Sequence, residues 1–107
     1  MPTSKPPIVS ATEGEVLRLA PKVDLVASTV EIQRGAMMKA LDSRQGAVVL
    51  DLSAVEQIDS LGITLVLGLF KTCQKAGNPF RIEGVRADIM RVFRLFNLPK
   101  FFSILEA

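Results

Sequence analysis

A serine stands at the start of an apolar stretch, and its hydroxyl is the first group in this sequence whose chemistry has to be considered. The stretch EQIDSLGITLVLGLF runs from Glu56 to Phe70, and Ser60 comes directly before its apolar part. A serine there can cap a helix by accepting a hydrogen bond from a free amide, worth roughly 1 kcal/mol. It can also be a phosphoacceptor, since a helix amino terminus stabilises a phosphate dianion. Asp59 can be the cap instead, which would leave the hydroxyl free, so both roles stay open.

Two more acidic residues are expected at the same edge of the fold. Asp24 follows a predicted strand, and Asp51 ends the apolar segment AVVLDL. Asp59 and Ser60 follow at the start of the next predicted helix. Because ligands and partners collect at the carboxyl ends of the strands in open α/β sheets, we expect these side chains to converge. Gly62 would allow another backbone to approach closely.

Strands and helices alternate along most of the chain. Hydrophobic periodicity and turn residues predict strands at 8–11 and 14–20, a helix within 25–46, a strand at 47–52, a helix at 61–76, a strand at 79–84, a helix at 86–99 and a strand at 102–105. In the first helix Gln33 interrupts the apolar stripe and Gly35 weakens it. In the last helix, Phe93 and Phe96 are expected on one core-facing stripe. The order predicts an α/β sandwich with a mainly parallel sheet and right-handed crossovers.

The composition argues against several classes of function. The chain of 107 residues contains no His, Trp or Tyr, so the commonest general base and metal ligand is missing, and no catalytic residue, metal or cofactor is expected. A net charge of +2 with scattered basic residues argues against nucleic-acid binding. The sequence has neither a bilayer-length apolar run nor a secretory signal, which predicts a cytoplasmic protein without membrane insertion, built as one domain over 1–107. Cys73 is expected to be a buried thiol.

The second half of the chain carries a resemblance. The residues from Ala47 to Ile104 resemble the STAS domain, the module named for sulphate transporters and anti-sigma factor antagonists, and the sharpest likeness is the Asp-Ser-x-Gly helix start within Ile58 to Ile63. The first half is similar only through LRLAPKVD, where Val23 and Asp24 match a common Leu-Asp pair. The resemblance implies the STAS-type sandwich, with a sheet of four to five strands.

For anti-sigma factor antagonists, the resemblance implies partner switching. The unmodified domain would bind an ATP-binding serine kinase that is also the anti-sigma factor, phosphorylation of Ser60 would end that binding, and a phosphatase would restore it. Asp24 and Asp59 match acidic family positions around the serine, and Asp51 matches a position that is often Asp or Asn. The resulting partner surface is expected to include these acids together with Leu61, Gly62 and Ile63, with Leu61 and Ile63 exposed beside Ser60.

Other interpretations stay open. Leu61 stands where many switching members have a small residue, which leaves the identity of the partner undetermined. The same fold could serve as a docking subunit of a transporter ATPase or a signalling assembly without phosphorylation. A weak homodimer is a further alternative. A response-regulator receiver would need an acidic pair after its first strand and a lysine after its last, and this sequence supplies neither.

Overall fold

Five strands form one mixed sheet whose spatial order follows the sequence. The computed structural model describes residues 8–13, 16–42 and 46–107. The elements are β1 (Ile8–Glu13), β2 (Val16–Pro21), α1 (Val30–Leu41), β3 (Val48–Asp51), α2 (Ser60–Ala76), β4 (Phe80–Val85), α3 (Ala87–Leu95), a 3-10 turn (Leu98–Lys100) and β5 (Ser103–Glu106). The sheet order is β1-β2-β3-β4-β5. Residues 14 and 15, part of the second predicted strand, lie outside the described residues.

The strand directions confirm the predicted α/β sandwich with a mainly parallel sheet. β1 pairs with β2 antiparallel, and the four strands from β2 to β5 run parallel. Each parallel pair is joined through a helix, and the buried side chains of all three helices belong to one hydrophobic core that covers one face of the sheet. Alternate residues of β2, Leu17 and Leu19, point into the core under that face. Arg18, between them, points to the opposite face.

Helix α1 is shorter than its pattern suggested. It begins at Val30, because Thr29 and the residues before it form a hydrogen-bonded turn in which the Thr29 hydroxyl donates to the carbonyl oxygen of Asp24 (2.6 Å). Gln33 is fully buried, so it continues the core-facing stripe in space although it interrupts the apolar pattern. The helix passes through Gly35, which is exposed, without a break.

Helices α2 and α3 end at different kinds of signal. Gly77 ends α2 in the left-handed conformation (φ 73°), as its sequence predicted. α3 ends at Leu95, because Asn97 adopts a left-handed conformation (φ 58°) and turns the chain so that Leu98 enters the core. The prediction that Phe96 shares the core-facing stripe with Phe93 is therefore wrong.

The buried face of α2 contains the lone cysteine, as predicted. Cys73 is 1% exposed, and burial raises the pKa of its thiol to about 11. Such a thiol stays protonated at neutral pH and is a poor nucleophile. No helix in the described part of the chain has the length and apolar character needed to cross a membrane.

Phe93 and Phe96 offer a direct test of where α3 meets the core. Phe93→Ala removes a fully buried ring and is expected to lower the free energy of unfolding by about 3–5 kcal/mol. Phe96→Ala removes a ring that is 49% exposed, so the loss should be below about 1.5 kcal/mol. Urea unfolding of the two variants measures both values. Equal losses would show that Phe96 packs in the core after all.

Candidate functional site

The amino terminus of α2 is capped by Asp59 and not by Ser60. The amides of Leu61 and Gly62 both donate to Asp59 Oδ1 (3.0 Å each). Ser60 is exposed, and its hydroxyl makes no hydrogen bond to any residue that the structure describes. The cap is therefore the aspartate, and the serine hydroxyl faces solvent.

Asp59 and Asp24 link the same two loops. Each carboxylate accepts hydrogen bonds from backbone amides of the other loop. The second carboxylate oxygen of Asp59 accepts a hydrogen bond from the amide of Ala27 (2.8 Å) in the loop between β2 and α1. Asp24, in that loop, accepts hydrogen bonds at Oδ1 from the amides of Glu56 (2.8 Å) and Gln57 (3.1 Å) in the loop between β3 and α2. We call Asp24 and Asp59 the carboxylate clamp.

The loops that the clamp joins also touch through their backbones. The amide of Leu25 donates to the Gln57 carbonyl (3.1 Å), and the amide of Asp59 donates to the Leu25 carbonyl (3.2 Å). Gly62 permits this contact, because a Cβ atom there would overlap the Leu25 carbonyl oxygen and press on Ile58. The predicted close approach at Gly62 is thus present, but the approaching backbone belongs to this chain, and Gly62 is buried.

Hydrogen bonding favours the charged form of Asp59. The amide of Gly62, followed in effect by those of Ala27 and Leu61, lowers the pKa of Asp59 below its ordinary value of 3.8. The carbonyl of Asp59 also accepts the amide of Ile63 (3.0 Å). The amides of Leu61, Gly62 and Ile63 are therefore already occupied and are not free to receive a phosphate on Ser60.

Asp51 belongs to a different network. It lies on the face of the sheet opposite the helices, where Arg18 bonds both Asp51 (3.3 Å) and Glu83 (3.0 Å) across β3. Partial burial raises the pKa of Asp51, but hydrogen bonds from Ser53 and the charge of Arg18 outweigh it and leave the pKa lowered. Arg81 and Arg18 hold the pKa of Glu83 below its ordinary value. The structure thus brings Asp24 and Asp59 together and leaves Asp51 apart.

The two apolar residues expected to be exposed beside Ser60 differ in what a partner could reach. Leu61 is 47% exposed, as expected. Ile63 is 3% exposed, so the prediction of an exposed Ile63 is wrong: it lies on the helix face that carries the buried Leu65 and Val66. A partner cannot touch the Ile63 side chain without opening the core.

Sequence reasoning missed two apolar residues on the neighbouring loop and helix. Val23 (39% exposed) and Ile32 (66% exposed) line a hollow of about 170 Å³ beside the first turn of α1. Ile32 falls outside the core-facing stripe of α1. An apolar residue off that stripe is the sequence signal that could have predicted its exposure. The Asp59–Ala27 hydrogen bond holds this loop against the start of α2. We call Val23, Ile32, Ser60 and Leu61 the Ser60 surface.

Metal chemistry receives no support from this geometry. Among the described residues, no group of three acidic, cysteine or histidine side chains could hold a metal ion. What the site offers is an exposed hydroxyl beside the exposed apolar side chain of Leu61, next to loops fixed by the carboxylate clamp. Such a surface is suited to binding another protein.

The family assignment follows from comparison with known proteins. The STAS domain family matches residues 8–107, nearly the whole chain. The chain belongs to the STAS domain family. The "Intermembrane phospholipid transport system binding protein MlaB" of Escherichia coli K12 is 30% identical to it over 80 residues, which cover 71% of this chain and 82% of that protein.

Solved STAS structures agree with the fold. An anti-sigma factor antagonist from Mycobacterium paratuberculosis matches with a TM-score of 0.84 at 20% identity, covering 94% of this chain and 85% of that one. An anti-sigma-factor antagonist (STAS) domain protein from Planctomyces limnophilus matches with a TM-score of 0.83 at 19% identity, over 94% of this chain and 90% of that one. At these identities the likeness concerns the STAS fold alone.

The division of roles at the start of α2 can be tested by thermal and urea unfolding. Ser60→Ala should leave the free energy of unfolding of this STAS domain within about 0.5 kcal/mol of wild type, because the hydroxyl has no cap to lose. Asp59→Ala removes the cap and the link to Ala27, so its melting temperature should fall clearly. A lower melting temperature for Ser60→Ala, with little change for Asp59→Ala, would make the serine the cap.

Proposed function

We propose that this STAS domain is a non-catalytic docking subunit that binds a protein of a membrane transport system through the Ser60 surface. The observation that carries the proposal is the exposed Ser60 hydroxyl, left free by the Asp59 cap and flanked by Leu61. The transport partner is suggested by the name of the relative that is 30% identical, the phospholipid transport system binding protein.

The physical properties of the Ser60 surface favour binding over chemistry. Apolar side chains exposed around a few polar groups are typical of protein interfaces. The loops beneath the surface are held by hydrogen bonds that backbone amides donate to the carboxyl groups of Asp24 and Asp59, so little conformational freedom would be lost on binding. No general base lies within hydrogen-bond reach of Ser60 in the described residues, and an unactivated serine is a weak nucleophile.

Partner switching is the second candidate, and the exposure of Ser60 favours it as well. In this interpretation the domain is an anti-sigma factor antagonist that binds an ATP-binding serine kinase, and phosphorylation of Ser60 releases it. A phosphoserine would add about −1.5 to −2 charge. That charge would stand beside the ionised Asp59, whose oxygen already occupies the amides of Leu61 and Gly62. The new charge would therefore face the partner, and a phosphatase would reverse the effect.

Affinity capture with the full chain as bait tests the docking surface. Wild type and Ser60→Ala are expected to retain an ATPase of a transport system from extract of the native cell. Ser60→Asp should lose it by a factor of about 10 or more, since a charge desolvated in an interface costs over 1.4 kcal/mol. Thr72→Asp is the matched control, because it makes a similar change at an exposed threonine three turns further along α2. Equal capture by Ser60→Asp and wild type would reject the Ser60 surface.

The identity of the captured protein and the state of Ser60 separate the two candidates. A transport ATPase, recovered with Ser60 unmodified in mass spectrometry, supports the docking subunit. A small ATP-binding kinase, recovered by wild type while phosphate is found on Ser60, supports partner switching and rejects the transport assignment.

A further inference from the structure

The end of the domain opposite Ser60 has a second exposed apolar surface. Helices in βαβ units run antiparallel to the strands, so α2 and α3 end where the parallel strands begin, away from Ser60. A groove of about 430 Å³ opens there between Phe70, Phe80, Phe101 and Phe102. We call this end the distal pole and define it by six residues: Phe70, Lys71, Leu95, Phe96, Lys100 and Phe101.

Several large apolar side chains of the distal pole face solvent. Leu95 is 80% exposed, Phe101 56% and Phe96 49%. All three lie between the last turn of α3 and the residue after the 3-10 turn. The Phe101 ring packs against Phe70 of α2, with 6.3 Å between centroids, so the apolar surface continues from α3 to α2. Clustered exposure of this kind marks an interaction surface.

The charged residues in the two segments that form the distal pole are all basic. Segments 70–82 and 91–101 contain six Lys or Arg and no Asp or Glu. Of these cations, Arg81 and Arg94 form ion pairs, with Glu83 and Glu106. The others make no ion pair within the described part of the chain: Lys71, Lys75, Arg91 and Lys100. Lys75 lies in the last turn of α2, where a cation interacts favourably with the negative end of the helix dipole. That interaction does not explain the exposed rings.

We propose that the distal pole contacts the surface of an anionic lipid bilayer. Phe96, Phe101 and Leu95 would enter the boundary between head groups and acyl chains, and Lys71 and Lys100 would lie against lipid phosphates. Exposed aromatic and aliphatic side chains among lysines and arginines are typical of interfacial membrane contact. This contact needs no membrane-spanning helix.

A bilayer fits the distal pole better than a protein does. A symmetric pair of chains would bring the unpaired lysines of both copies together, which opposes association. A protein partner would need carboxylates matched to cations that are dispersed around the rings. A fluid anionic surface meets dispersed cations without such matching. Because Ser60 lies at the other end, the Ser60 surface stays free, and this proposal does not depend on the proposed function.

Cosedimentation of the full chain with vesicles tests the proposal. Vesicles of equal parts phosphatidylglycerol and phosphatidylcholine should bind the protein, and vesicles of phosphatidylcholine alone should bind it much less. The double variant Lys100→Glu/Phe101→Ala should weaken binding to the anionic vesicles at least about tenfold, since each cation near the surface contributes to attraction. The matched control, Lys22→Glu/Ile32→Ala, makes a similar change at exposed residues of the Ser60 end and should bind like wild type.

Two outcomes of the vesicle experiment would overturn the proposal, and a third variant separates lost contact from lost folding. Absence of binding to anionic vesicles would overturn it and leave a protein as the occupant of the distal pole. Equal weakening in both double variants would also overturn it, because net charge alone would then explain the binding. Leu95→Ser, at the most exposed of the apolar side chains, should weaken binding without changing the melting temperature, which separates lost contact from lost folding.

Discussion

One carboxylate holds the site together. Asp59 accepts hydrogen bonds from the amides of Leu61 and Gly62, and with its other oxygen it accepts the amide of Ala27. The first two bonds start α2, and the third ties the loop before α1 to that start. Asp24 completes the arrangement from the other loop. Because Asp59 supplies the cap, the side chain of Ser60 is not needed to start α2, and it faces solvent.

The residues that hold the loops in place differ from the residues that face solvent at this site. Asp24 and Asp59 accept hydrogen bonds from backbone amides of their own chain, so they fix the loops beside which Ser60 and Leu61 project. A partner docked here would meet the Ser60 hydroxyl beside the apolar Leu61, with the negative charge of Asp59 on the adjacent residue. A phosphate or an aspartate at residue 60 would add to that charge, whichever class of partner binds there.

The sequence was sufficient for the architecture, and periodicity is the reason. Apolar runs, Gly77 and the alternation of strands with helices predicted the parallel sheet, and the Asp-Ser-x-Gly motif predicted the family, which the match over 8–107 confirms. The wrong predictions of burial concern residues near the ends of helices. Phe96 continues the helical stripe of α3, but the turn at Asn97 takes it out of the core. Ile63 was placed on the exposed edge, although its angular position on α2 is that of the buried face.

Long-range hydrogen bonds were beyond sequence reasoning for a different physical reason. Asp24 is 32 residues from Glu56, and no local pattern records that its carboxylate reaches the amides of another loop. Asp51 shows the reverse case, since its position at a strand end suggested the site, whereas the pleat of β3 directs it to Arg18 on the far face. Which acid supports the site is thus decided by strand register and loop packing.

Amide hydrogen exchange tests the carboxylate clamp most directly. In wild type the amides of Ala27, Glu56 and Gln57 should exchange slowly compared with exposed loop amides, because each donates to a clamp carboxylate. In Asp24→Ala, those of Glu56 and Gln57 should lose protection, while amides in the core strand β3 remain protected. Rapid exchange at all three positions in wild type, or unchanged protection of Glu56 and Gln57 in Asp24→Ala, would contradict the account.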